Sequence, residues 1–173
     1  AAKLGKKVAV IEKQRFVGGM CIDTGTIPSK TFREAVRRVY SRPGLELTDP
    51  FAARARVRPT MKELVGHVGR VIQREIGMVH DALTRNDVTV LHGQAAFVDR
   101  HTVRITTGEN QRSLTAENIL IAVGTHPSTP KGVELDGQTV VTSDGVLQLE
   151  HLPRTMVVVG AGVIGIEYAS MFA

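Results

Sequence analysis

The 173-residue chain has one cysteine, Cys21, no tryptophan, and only five phenylalanines and two tyrosines. A single thiol rules out an internal disulfide framework and suits a reducing compartment, so a cytoplasmic location is expected. No apolar run approaches the ~18 residues that a membrane-crossing helix needs, and no membrane partner is expected. The opening Ala1 to Lys7 is too short, and too soon followed by a β-branched run, to read as a signal peptide. His67, His80, His92, His101, His126 and His151 show no ligand spacing, so no metal site is predicted. The stretch from Arg33 to Arg74 carries ten Lys/Arg against Glu34, Glu46, Asp49 and Glu63. Its aromatics are only Tyr40 and Phe51, with Phe32 just before it, and no reading motif is present, which favours a solvated basic face over a nucleic-acid partner.

The apolar content of 42% is that of an ordinary globular chain, and the length is about one domain's worth. Val8-Ala9-Val10-Ile11-Glu12 has the look of a buried parallel strand that ends in an acid at a ligand edge. Pro28 suits the first turn of a helix, and Phe32, Ala35, Val36, Val39 and Tyr40 follow at helical spacing up to the breaker Pro43-Gly44. Leu45 to Pro59 reads as a loop. Thr60-Met61-Lys62-Glu63 is a capping box, and the stripe from Leu64 to Leu83 predicts a long helix to about Asn86. The period then shifts towards two. Val88–Leu91, Ala95–Val98, Thr102–Ile105 and Asn118–Val123 read as strands, the middle ones joined as a β-meander by turns at Asp99-Arg100-His101 and Gly108-Glu109-Asn110. A short helix is predicted over Ser143–Leu149 and a strand over Met156–Val159.

Gly160-Ala161-Gly162-Val163-Ile164-Gly165 comes after that predicted strand and before an apolar helical run, the context in which a dinucleotide fingerprint is credible. Gly160 permits the tight turn, Gly162 lets a pyrophosphate approach the backbone, and Gly165 allows helix and strand to pack closely. The phosphate charge would meet the positive end of the helix.

Gly18-Gly19-Met20-Cys21-Ile22-Asp23-Thr24-Gly25-Thr26-Ile27-Pro28-Ser29-Lys30 resembles the redox-helix signature of the pyridine nucleotide-disulfide oxidoreductases, in which a pair of cysteines opens a helix beside a flavin. Cys21 matches the outer cysteine, and Thr26 stands where the inner one belongs. Thiol-disulfide exchange needs an attacking thiolate and a resolving partner. A hydroxyl cannot form a disulfide, so the relay is cut. The resemblance is greatest to members of that family without the dithiol that exchange hydride between NADPH and NAD+. It implies an α/β fold: an FAD-binding Rossmann-like parallel sheet with a β-meander over residues 1–150, then the start of a second, NAD(P)-binding Rossmann domain over 151–173. It further implies that the first strand and glycine-rich loop of the FAD domain precede Ala1, and that the chain is the opening part of a longer, homo-oligomeric enzyme, a dimer or larger.

Residue by residue, the resemblance puts Glu12 at the ribose of FAD with Lys13 as its companion. Gly18 and Gly19 lie against the flavin's phosphates and ribityl chain, and Cys21 and Thr26 beside FAD. Ala95 is placed as a backbone contact to adenine, and Gly124 in the short segment that ends the flavin domain. Lys30 is the expected catalytic residue, under the flavin's reactive nitrogen and paired with Glu167. A fixed positive charge there stabilises reduced, anionic flavin. The implied cofactors are FAD, NADP and NAD, and the implied partners are nicotinamide dinucleotides. Two other readings stay open: a quinone- or oxygen-directed flavoprotein reductase of the same family, and a non-catalytic fragment that is inactive by itself.

Overall fold

β1 (Ala9–Glu12) and β2 (Thr89–His92) form a parallel pair, with Ala9 opposite Thr89 and Glu12 opposite His92. The structure is a computed structural model that describes residues 1–40 and 59–173. The predicted breaker at Pro43-Gly44, most of the loop read over 45–59 and the middle of the basic stretch lie outside the described residues. β3 (Gln94–Phe97), β4 (Thr102–Thr107) and β5 (Asn110–Thr115) make an antiparallel meander in which β4 is central. The parallel sheet with its helices makes the fold α/β and Rossmann-like.

The described chain separates into two compact units, each built from two stretches of sequence. The first holds Ala1–Met20 and Gln73–Thr125, and the second Cys21–Ile72 and His126–Ala173. In the first unit β4 supplies the inner row, with Val103 and Ile105 buried. An apolar hollow of about 370 Å³ is lined by Val8, Val10, Val79, Leu83 and Val88, among others.

The second unit is helical. α1 (Gly19–Asp23) leads to α2 (Thr26–Tyr40), with Pro28 in its first turn. α3 (Met61–Arg85) contributes its residues up to Ile72 to this unit. Its start is a reciprocal cap: the Glu63 carboxylate accepts from the Thr60 N–H at 2.8 Å, and the Thr60 hydroxyl accepts from the Glu63 N–H at 3.2 Å. Its end, in the first unit, is a left-handed stop. Asp87 takes φ 52° while the Val88 and Asp87 N–H groups return to the Leu83 and Thr84 carbonyls.

α4 (Ser143–Val146) and α5 (Val163–Phe172) complete this unit. Its core gathers Phe32, Ala35, Met61, Leu64, Val68, Val146, Tyr168 and Met171. Phe32 is wholly buried and stacks on Phe172 with ring centroids 5.5 Å apart. Burial of one such ring is worth about 1.5–3 kcal/mol.

The structure departs from the predicted elements in its strands. The third strand of the meander is β5, and Asn118–Val123 forms no strand; Leu120 is 90% exposed there. The sequence of β5, Asn-Gln-Arg-Ser-Leu-Thr, is nearly all exposed, so it lacks the alternation that marks a half-buried strand. Met156–Val159 likewise forms no strand, and Val157 is 89% exposed. In both runs the apolar residues find no neighbouring strand among the described residues, and a parallel strand exists only by pairing. The short helix is assigned over Ser143–Val146, within the predicted span.

Candidate functional site

Lys30 lies on α2 and Glu167 on α5, 137 positions apart, and the fold of the second unit brings them together. Lys30 Nζ donates to Glu167 Oε1 in an ion pair whose side chains stay 49% and 34% exposed. The two helices are held by the core that runs from Phe32, two residues after Lys30, to Tyr168 and Met171 beside Glu167. The pair is therefore anchored by packing while its charged end remains accessible. Cys21 is a free, exposed thiol on α1, and Thr26 is the first residue of α2.

α5 opens on the glycine turn. Gly160 has φ 110°, and a Cβ added at Gly160 or Gly162 would meet nothing within 4 Å, so this backbone is open to close approach. Gly165 is the opposite case. A Cβ there would lie 2.5 Å from the Gly160 carbonyl oxygen and 3.2 Å from Val158 Cγ1, a fit only a hydrogen allows.

In the first unit Glu12 is half-buried at the end of β1, and its Oε1 accepts the Gln14 N–H at 2.8 Å. Lys13 is exposed. Gly18 and Gly19 take φ 140° and 58°, with open space at the Cβ position of Gly19. Gly124 has φ 70° and Ala95 is exposed on β3. These left-handed glycines with open approaches fit the close contact that a dinucleotide's phosphates and ribityl chain require.

A second layer of contacts surrounds Glu12, and no motif announces it. The Gly93 N–H donates to the Glu12 carbonyl at 2.9 Å. His92 Nδ1 lies 3.3 Å from the Gln14 carbonyl, and since a carbonyl only accepts, the ring nitrogen is the donor. The Thr107 hydroxyl donates to the His92 carbonyl at 2.6 Å. Such side-chain contacts between distant positions leave no trace in local spacing.

Two buried hydroxyls lack partners among the described residues: Thr24 Oγ1, between α1 and α2, and the Tyr168 phenol. Burial, with Asp144 and then Glu167 nearby, pushes the Tyr168 phenol up to about 12, so it stays protonated. Among the described residues, no group of His, Cys, Asp and Glu is disposed to hold a metal ion. No helix of the described residues is long and apolar enough to cross a membrane.

Parallel strands, helices, a meander and a glycine turn that opens a helix define an α/β, Rossmann-like architecture. The family described as pyridine nucleotide-disulphide oxidoreductase matches residues 1–173, and the chain belongs to it. It is 46% identical over 177 residues to a protein of Mycobacterium bovis (strain BCG Pasteur) named soluble pyridine nucleotide transhydrogenase, covering 100% of this chain and 37% of that protein. A protein of the same name from Photobacterium profundum is 40% identical, covering 98% and 36%. The chain thus spans a little over a third of the length of these relatives. Among solved structures, the HOCl-induced flavoprotein disulfide reductase RclA from Escherichia coli is similar, with TM-score 0.79 and 26% identity over 99% of this chain and 35% of that one. LpdA from Mycobacterium tuberculosis shares the fold at TM-score 0.84 and 22% identity, over 99% of this chain and 38% of that one.

Proposed function

We propose that these residues serve an FAD-dependent oxidoreductase that transfers hydride between NADPH and NAD+ without a redox disulfide. The observation that carries this reading is the sulfur inventory: Cys21 is the only cysteine, and Thr26 holds the place of its partner. The names of the curated relatives, soluble pyridine nucleotide transhydrogenase, support the same reaction.

FAD, when bound, would supply the carrier for hydride exchange between nicotinamides. Lys30 supplies a fixed positive charge beside the ring, and Glu167 holds that ammonium in place. The open glycine turn at Gly160 and Gly162 receives the nicotinamide dinucleotide's pyrophosphate at the start of α5. Glu12, whose Oε1 accepts the Gln14 N–H, would hold the adenosine ribose of FAD. Lys13, Gly18, Gly19, Ala95 and Gly124 would help hold the same cofactor through backbone or charge, as would Cys21 and Thr26. Residues 1–150 belong to the flavin domain and 151–173 open the nicotinamide domain of a homo-oligomer that acts in the cytoplasm.

Turnover of the intact enzyme tests this reading. NADPH should bleach the flavin and thio-NAD+ should restore it at a comparable rate, with disulfide substrates reduced at a small fraction of that rate. Reoxidation by quinone or oxygen alone would replace the proposal with the reductase reading.

A further inference from the structure

We propose that His92 and Thr107 are positioning residues for the adenosine end of FAD, acting through the Glu12 carboxylate. This inference rests on the assignment of Glu12 to the FAD ribose. Glu12 ends β1, and the turn after it is held from the β2–β3 corner by two independent bonds. The Gly93 N–H takes the Glu12 carbonyl, and the His92 ring takes the Gln14 carbonyl. Gln14 in turn donates its N–H, from the peptide on its other side, to Glu12 Oε1, so holding Gln14 at its carbonyl narrows the range of the N–H that meets the carboxylate across only the φ and ψ of one residue. The backbone that carries the ring is itself held, because the Thr107 hydroxyl donates to the His92 carbonyl at 2.6 Å, in the same peptide unit whose Gly93 N–H meets the Glu12 carbonyl.

Gly93 locks this corner. Its φ is 147°, and a Cβ there would lie 2.6 Å from Thr107 Oγ1 and 2.8 Å from the Thr106 carbonyl oxygen. The chain from Thr107 through His92 to Gln14 and Glu12 is therefore continuous. Its end is a carboxylate with one oxygen committed to Gln14 and the other aimed by that commitment. Preorganising an acceptor in this way raises ligand affinity by removing the cost of ordering it on binding.

The test is FAD affinity of the intact apoprotein, read by flavin fluorescence, with FMN as the probe that lacks adenosine. Glu12→Gln should weaken FAD and leave FMN unchanged. His92→Phe should weaken FAD about three- to tenfold, the worth of one hydrogen bond, and also spare FMN. His92→Asn, which keeps an N–H donor near the Nδ1 position, should restore FAD affinity. Thr107→Val should act in the same direction as His92→Phe and carries the test if the Phe variant fails to fold. In a Glu12→Gln background His92→Phe should add nothing, because it acts only through that carboxylate. A His92→Phe protein with unchanged FAD affinity, with equal loss for FMN, or with a fully additive loss in the Glu12→Gln background overturns the inference. An unaffected Glu12→Gln protein overturns instead the ribose assignment beneath it.

Discussion

Lys30 is an ammonium restrained by one carboxylate while about half its side-chain surface stays open. That combination suits a charge meant to act on a bound neighbour, since an exposed ion pair adds at most about 1 kcal/mol to stability. Lys30→Met should therefore fold normally, with a melting temperature close to wild type, yet slow flavin reduction by NADPH on the order of a hundredfold in stopped flow. Tyr168 is the reverse, a polar group whose cost is structural. Its hydroxyl is buried without a partner among the described residues, so Tyr168→Phe should be neutral or stabilise the protein by up to about 1 kcal/mol in urea unfolding. The sign of its pH dependence follows from the raised pKa. Between pH 10.0, the ordinary value, and about 12, the unfolded chain loses the phenolic proton while the folded chain keeps it. The unfolded state then binds fewer protons, and stability falls as pH rises through that window, by at most about 1.4 kcal/mol per pH unit. Urea midpoints across that alkaline range should drop in wild type, and the Phe variant should lose this contribution to the drop.

At the scale of elements, the turn at Gly160 and the start of α5 share a space that admits no side chain at Gly165. Gly165→Ala should cost about 1–3 kcal/mol by overpacking, seen as a lowered melting temperature, because the obstructing atom is backbone and has no rotamer to change. Gly162→Ala, where the space is open, should leave the melting temperature nearly unchanged. Local signals made some elements legible in the sequence. α3 is readable from its capping box and stripe, and β1 and β2 from β-branched runs, because each element is satisfied by residues close to it. β5 escapes because an exposed polar strand, Asn110–Thr115, takes its order from pairing with β4 and from nothing in its own pattern. Leu120 to Val123 and Val157 to Val159 mislead in the other direction: an apolar run signals a demand for burial, and only a partner strand makes it β. In the candidate site, Lys30 and Glu167 are linked in the sequence only by family resemblance. The His92 and Thr107 contacts are not legible there at all, since their spacing follows from sheet register.

For the molecule as a whole, each compact unit is assembled from separated stretches, and each carries part of the proposed chemistry: Glu12 with its supporting contacts in the first, Lys30 with Glu167 in the second. A flavoenzyme with a dithiol stores reducing equivalents in two places, on the ring and on sulfur, whereas this chain offers one thiol and a threonine. Anaerobic reductive titration of the intact flavoprotein therefore tests the central claim most directly. One hydride equivalent per flavin should complete the bleaching, without a long-wavelength thiolate-flavin band, and Cys21→Ser should take up the same amount. Uptake of a second equivalent that disappears in Cys21→Ser would contradict transfer straight from ring to acceptor.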